Sequence, residues 1–247
     1  MTTQANRPFA AFDIDGTLFR DGLYREMAWE LMRRGVVPDH WVRRIEQTHR
    51  DWKQRAHRDA YDAYEWSLVE MFADILPTIP VAVFDEVAKR IAADQQHHVY
   101  TYTRAELERL RREGYFLIAI SGSHEEVIQP FAKFYGFDAW IGQKYIRRDG
   151  AFTGEIVATY TGKDVMLQRL IDQYGLTLQG SYAFGDSYGD RGMLEIVEQP
   201  VAFNPTIELL ELAMQQSWKI VVERKSIVYE LTKGAGDAFV LARAEKI

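Results

Sequence analysis

The rhythm of hydrophobic and polar positions changes along the chain. Residues 9–12 are a short apolar run that ends in Asp13-Ile14-Asp15-Gly16-Thr17. A run of this kind closed by a glycine turn predicts a buried strand feeding a loop. Between residues 23 and 102 the spacing becomes helical. Trp41, Ile45 and Trp52 fall on one face, then Tyr61, Tyr64, Leu68 and Phe72, then Val83, Val87 and Ile91. Pro38, Pro77 and Pro80 punctuate these stretches, and Gly35 is the one glycine beyond the first residues of the segment. The pattern predicts a small helical bundle.

From residue 103 strand-like and helix-like runs alternate. Helices are predicted over 104–113, 125–135, 164–174, 193–197 and 206–214, the first three stopped by Gly114, Gly136 and Gly175. Strands are predicted over 115–120, 139–141, 181–184, 201–203 and 219–222 as the last, with a hairpin over 145–156 turning at Asp149-Gly150. The tail, 226–247, reads as a terminal helix. Such alternation implies an α/β fold: a doubly wound (Rossmann-like), mostly parallel sheet covered on both faces. The helical stretch interrupts it as an inserted all-helical cap. The division expected is 1–20 and 103–247 for the core and 21–102 for the cap. In such sheets ligands bind beyond the carboxyl ends of the strands, and each notable polar cluster follows a strand.

Composition narrows the chemistry. The chain has 247 residues, enough for a core with one inserted domain, and a net charge of −6, which does not suggest nucleic-acid binding. There is no cysteine, so disulfides, thiolate metal sites and cysteine nucleophiles are excluded. No stretch reaches the roughly 20 apolar residues that span a bilayer. The short polar N-terminus, residues 1–8, has no signal-peptide character. A cytoplasmic location is expected; the oligomeric state is not legible.

Asp13 and Asp15 lie two apart, where alternate side chains of an extended turn share a face. One carboxylate can attack phosphorus and the other can protonate the leaving alkoxide and then deprotonate water. Thr17 offers a hydroxyl and an N–H to an oxyanion. An isolated Asp-x-Asp would more often be an Asx turn, but Asp-x-Asp-Gly-Thr is expected by chance in only about one in a thousand chains of this length. Gly185-Asp186-Ser187-Tyr188-Gly189-Asp190 follows another strand and suits a hard, oxygen-ligated cation such as Mg²⁺. Asp13 and Asp186 would supply carboxylates and Asp15 its carbonyl, with Asp190 orienting them or binding through water. Read alone, this cluster fits a solvated turn equally well. Ser121-Gly122-Ser123 precedes a helix and offers a phosphate cradle, with Ser121 as the contact and Ser123 as the helix N-cap paired with Glu126. Lys163 opens a helix where it can hold the nucleophile and the transferring group, although a surface position is the usual fate of lysine.

These segments together resemble the haloacid dehalogenase superfamily, over nearly the whole chain, and within it the phosphoserine-phosphatase-like branch. The resemblance implies Asp13 as nucleophile, Asp15 as acid/base, Ser121 and Lys163 as the second and third motifs, Asp186 and Asp190 as the fourth, and a C1-type cap. An acid at position 15 favours phosphoryl chemistry, because a halide leaves without protonation. The implied activity is Mg²⁺-dependent hydrolysis of a small phosphorylated metabolite. Transfer of the phosphoryl group to another acceptor, and a non-catalytic ligand-binding protein on the same fold, are the rival readings. In phosphoserine phosphatases a cap acid shortly after the first motif meets the substrate amine. Here Phe19-Arg20-Asp21-Gly22-Leu23-Tyr24 aligns no such acid, so phosphoserine is not singled out. The cap arginines Arg33, Arg34, Arg43, Arg44, Arg50, Arg55 and Arg58 read as a solvated face balanced by acids. The cap tryptophans Trp29, Trp41, Trp52 and Trp66 read as core anchors, and His124 as a helix-start residue.

Overall fold

The apolar run at the start of the chain lies at the middle of the sheet. In the computed structural model, which describes residues 6–157, 162–236 and 238–247, it forms β1 (Arg7–Phe12). Phe9, Ala10, Ala11 and Phe12 are all fully buried, as a strand covered on both faces requires. The other strands are β2 (Phe116–His124), β3 (Ala139–Arg148), β4 (Ala151–Val157), β5 (Leu176–Gly185), β6 (Gln199–Phe203), β7 (Lys219–Arg224), β8 (Ile227–Lys233) and β9 (Phe239–Lys246). The sheet order is β4-β3-β2-β1-β5-β6-β7-β8-β9. Pairing is parallel from β3 through β7 and antiparallel at both flanks. The chain leaves β1 for β2 on one side and later fills β5 on the other. The carboxyl ends of β2, β1 and β5 therefore adjoin at a topological switch point.

Between β1 and β2 lie α1 (Leu23–Arg33), α2 (Asp39–Gln54), α3 (Ala60–Ile75) and α4 (Val81–Gln95), followed by α5 (Thr101–Arg112). The first four are the helical insertion expected from the sequence. The segments entering and leaving it run side by side. Arg20 N–H donates to the His98 carbonyl at 3.0 Å and Tyr100 N–H to the Leu18 carbonyl at 2.9 Å. The core helices are α6 (Glu125–Phe134), α7 (Lys163–Tyr174), α8 (Arg191–Glu195) and α9 (Ile207–Gln216). One apolar cluster joins Phe12, Phe184 and Phe131 of the core to Tyr64, Phe72 and Phe84 of the insertion. A second lies on the other sheet face, with Phe9, Ile118, Leu167, Met193 and Leu209. Arg147 on β3 bonds both Asp85 on α4 and Glu126 on α6, at 2.6 Å each, and so ties the insertion to the core. Among the described residues no helix is long and apolar enough to cross a membrane. Residues 1–5, part of the polar N-terminus, are outside the described residues.

The structure corrects several sequence expectations. The tail is an antiparallel hairpin, β8–β9, and not a helix. Ile227-Val228-Tyr229 and Leu231 are strand formers, Gly234 and Gly236 lie between the strands, and Phe239-Val240-Leu241 are strand formers again. The strand at 139–141 and the first arm of the hairpin are one continuous β3. β5 begins five residues earlier than the predicted 181, and α5 three residues earlier than the predicted 104. Of the cap tryptophans, Trp41 is buried and Trp29 and Trp52 are half-buried, but Trp66 is 58% exposed. The buried face of α3 is Tyr64, Ser67, Leu68, Met71 and Phe72, and Trp66 points away from it.

Phe12 stacks on Phe184 at 4.4 Å between ring centroids. Phe12→Ala should cost about 3–5 kcal/mol of stability in urea denaturation, as deletion of a buried ring does. Trp66→Ala should stay within about 0.5 kcal/mol of wild type. Comparable losses in the two variants would contradict this assignment of core and surface.

Candidate active site

Adjacent strands deliver the acidic loops to one point. Asp13 N–H donates to the Phe184 carbonyl at 2.9 Å, so the end of β1 is pinned against the end of β5, where Asp186 begins the next loop. The glycines make the approach possible. Gly16 has φ +84°, and a Cβ built there would lie 2.2 Å from Asp186 Oδ2. A Cβ at Gly185 would lie 2.4 Å from Asp190 Cβ. Neither position has room for a side chain without displacing an acid.

Lys163, the first residue of α7, is buried between two carboxylates. Its Nζ donates to Asp13 Oδ1 at 2.7 Å and to Asp190 Oδ1 at 2.5 Å. Burial by itself would lower the lysine pKa, but Asp13 and Asp190 hold it above its usual range. The second oxygen of Asp190 accepts the N–H groups of Asp186 and Ser187 and the Ser187 hydroxyl, at 3.0–3.1 Å. Both Asp190 oxygens are thus committed to protein donors. Asp13 Oδ2 carries no hydrogen bond among the described residues, and Asp186 accepts only a long 3.5 Å contact from the Thr17 hydroxyl. Burial lifts the Asp13 carboxyl to about 8, with Asp190 and Asp15 adding repulsion against the pull of Lys163. Burial likewise raises Asp186, with Asp13 adding to it. One ligand atom from each of Asp13, Asp186 and Asp190 lies within 4.8 Å of the others. Under-neutralised buried carboxylates with an all-oxygen donor set fit a hard divalent cation such as Mg²⁺. The free oxygens belong to Asp13 and Asp186, and the committed ones to Asp190.

Asp15 is held from three sides. Its Oδ2 accepts the hydroxyls of Ser121 at 2.9 Å and Ser123 at 2.5 Å, and its Oδ1 accepts Leu23 N–H at 2.6 Å. Burial raises its pKa, opposed by these hydrogen bonds and by Arg25. Ser123 is therefore no helix cap: the residue at the N-cap of α6 is His124, and Ser123 is still in β2. The hydroxyl is drawn to the nearby carboxylate instead of to the helix N–H groups. Ser121 also accepts Ser123 N–H at 2.9 Å. Thr17 is fully buried, and its carbonyl accepts the Thr103 hydroxyl at 2.8 Å.

A cavity of about 250 Å³ opens over these groups. Asp13, Asp15, Gly122, Lys163 and Asp186 lie on its core side, and Tyr24, Arg25, Tyr61, Glu65 and Val69 on the insertion side, with Gln143 of β3 between them. Of the other predicted residues, Thr17, Ser121 and Asp190 stand behind this lining. Sequence reading missed the entire insertion side. The available signal was Asp21 four residues before Arg25 at the start of a helix, a spacing that pairs side chains. Among the described residues none of the seven arginines singled out from the sequence reaches the cavity. Arg33 and Arg34 bond Glu30, Arg44 bonds Glu70, and Arg43, Arg55 and Arg58 are exposed. His124 is fully buried in an aromatic box, stacked on Tyr24 at 4.5 Å, and burial lowers its pKa to about 3, so the ring is neutral.

Comparison with known proteins agrees with this arrangement. The family model for haloacid dehalogenase-like hydrolases matches residues 10–195. A histidinol-phosphatase of Neisseria meningitidis is 30% identical over 131 residues, 50% of this chain and 59% of that protein. Phosphoserine phosphatase SerB1 of Mycobacterium tuberculosis is 31% identical over 143 residues, 57% of this chain and 46% of that protein. The chain thus spans about half the length of the curated relatives it matches. Among solved structures, a Bordetella pertussis protein of unknown function superposes with a TM-score of 0.70 at 24% identity, covering 87% of this chain and 98% of that one. A phospho-aspartyl intermediate analogue of phosphoserine phosphatase superposes with a TM-score of 0.60 at 19% identity, covering 89% and 95%. The chain has the core-and-cap fold of the phosphoserine phosphatases and belongs to the haloacid dehalogenase-like hydrolase family.

Proposed function

We propose that the protein is a Mg²⁺-dependent phosphatase that hydrolyses a small phosphomonoester through an aspartyl-phosphate on Asp13. The observation that carries this reading is the division of labour at Asp13. One oxygen is held by Lys163, and the other carries no hydrogen bond in a carboxylate that lines the cavity, with a second carboxyl, Asp15, on the same wall. In this mechanism Asp13 Oδ2 attacks phosphorus in line with the leaving oxygen. The P–O bond to the alcohol breaks as Asp15 delivers its proton to the departing alkoxide. Asp15 then takes a proton from water, which attacks phosphorus and releases phosphate and Asp13. Its raised pKa suits the first of these steps. Lys163 and the backbone N–H groups of the Ser121–Gly122 segment balance charge on the equatorial oxygens. The carboxylates of Asp13 and Asp186 and the carbonyl of Asp15 would hold Mg²⁺, oriented by Asp190, and the ion would neutralise phosphoryl charge. We assign residues 1–20 and 103–247 to the catalytic core and 21–102 to the cap, and place the activity on a phosphorylated metabolite in the cytoplasm.

Phosphate release from a panel of phosphomonoesters should require Mg²⁺, stop with EDTA, and vanish in Asp13→Asn while the circular dichroism spectrum is retained. Wild-type turnover by that variant would overturn the assignment of the nucleophile. Asp15→Asn should lower kcat/KM on alkyl phosphates, which reports transfer to Asp13 and not the later hydrolysis, by about 10²–10⁴-fold. It should cost much less on p-nitrophenyl phosphate, whose leaving group departs without a proton; equal losses on both would remove Asp15 as the acid.

The raised pKa values also predict how metal and pH combine. Without metal, folded Asp13 holds a proton that the unfolded chain releases. Its contribution to stability is full below the unfolded value of about 3.9 and is lost as pH rises through about 8. Asp186 acts in the same direction. A bound cation offsets that loss, so the rise in Tm on adding Mg²⁺ should be larger at about pH 9 than at about pH 6. Thermal melts with Mg²⁺ and with EDTA at both pH values test this.

A further inference from the structure

The insertion side of the cavity has a charge pattern of its own. Arg25 stands at its centre, but both its charge and its donors face acids of the same wall. Its Nε donates to Glu65 Oε1 at 2.7 Å, its Nη1 to Asp21 Oδ1 at 2.5 Å and its Nη2 to the Tyr61 hydroxyl at 3.1 Å. Its guanidinium also lies against the Trp52 ring, 5.2 Å from the centroid. Two carboxylates therefore surround one cation, and the wall carries an excess of one negative charge. That excess has an outlet. Glu65 lines the cavity, its side chain is 35% exposed, and its Oε2 has no hydrogen-bond partner among the described residues. The faces beside it are aromatic and apolar: Tyr24, Tyr61 and Val69.

We infer that the leaving group of the substrate carries a single positive charge and no acid of its own, and that Glu65 Oε2 is the group that reads it. The substrate class is the phosphate ester of a small amino alcohol, with its ammonium set on Glu65 between the Tyr24 and Tyr61 rings. This rests on the phosphatase reading above and adds the identity of the alcohol side. The chemistry of the wall excludes the reverse polarity. A second phosphate or a carboxylate on the leaving group would meet Glu65 head on, and Arg25 could receive it only by giving up Asp21 or Glu65. A neutral alcohol would leave Glu65 Oε2 partly desolvated without giving it a hydrogen bond, which disfavours binding. The cavity volume of about 250 Å³ lies below the range of ~300–1,000 Å³ usual for drug-sized ligands, so the alcohol is small. Arg25 has a positioning role here: it holds Oε1 so that Oε2 faces the cavity.

The test is a matched set of esters differing only at the distal group: 2-aminoethyl phosphate, n-propyl phosphate and 2-carboxyethyl phosphate. Wild-type kcat/KM should favour the amino ester over the propyl ester by about tenfold or more and place the carboxylated ester last, with the preference residing in KM. In Glu65→Gln the ratio of amino to propyl ester should collapse towards one, and Glu65→Asp should restore part of it. No preference in wild type, or a ratio unchanged by Glu65→Gln, would overturn the inference. The affinities of the same esters for the Asp13→Asn protein with Mg²⁺, measured by calorimetry, decide the matter independently of turnover. If no ester is hydrolysed the phosphatase reading fails, yet tighter binding of the amino ester that is lost on adding Glu65→Gln still supports the inference. Equal affinities overturn it.

Discussion

The site depends on one buried ion cluster, Lys163 between Asp13 and Asp190. Three carboxylates, those of Asp13, Asp186 and Asp190, converge on a buried region, and burial opposes ionisation of Asp13 and Asp186. A single lysine cannot neutralise them, and the structure does not ask it to. Lys163 takes one oxygen of Asp13 and one of Asp190, and backbone and hydroxyl donors from Asp186 and Ser187 take the other oxygen of Asp190. What remains is a free oxygen on Asp13 and a nearly free carboxylate on Asp186. The residual negative charge is concentrated where a metal and a phosphoryl group would be received. Breaking such a cluster from one side leaves a buried charge unpaired, which is far more costly than the cluster is stabilising.

The cap is coupled to the candidate site through Asp15. The first turn of α1 presents Leu23 N–H to Asp15 Oδ1, while β2 presents the Ser121 and Ser123 hydroxyls to Oδ2. The carboxyl is thus clamped between the element that opens the cap and a core strand, so its orientation depends on how the cap is seated. That seat is mostly apolar, a cluster continuous from Phe12 to Phe84, with Arg147 as a polar tie between Asp85 and Glu126. Two turns of the same chain stretch divide the tasks. Asp13 and Asp15 line the core side of the cavity, and Arg25, 12 residues after Asp13 and paired with Asp21, lines the side opposite.

Local pattern was a good guide where burial is two-sided and a poor one where it is not. β1 and β2 were legible because their residues are nearly all apolar. The β8–β9 hairpin was misread because β9 is exposed along almost its whole length, so hydrophobic periodicity had little to act on. Ser123 was misread for a different reason. Its spacing to Glu126 satisfies a capping box, but a carboxylate 108 residues away in the chain competes for the hydroxyl, and a charged acceptor prevails.

The sequence by itself determined the alternation that makes a doubly wound sheet, the helical insertion, the family, and the acids and lysine of the core. These could be read because a strand end followed by an acid and a glycine is a contiguous local signal, repeated after β1 and β5. Only the tertiary structure decided which oxygens are committed and which are free. It also decided that Ser123 serves Asp15, that Arg25 and not the eight other cap arginines meets the cavity, and that Glu65 faces it. Those outcomes turn on distances between residues far apart in the chain. Arg25 and Glu65 are 40 positions apart and on different helices, and nothing in the local pattern around either names the other.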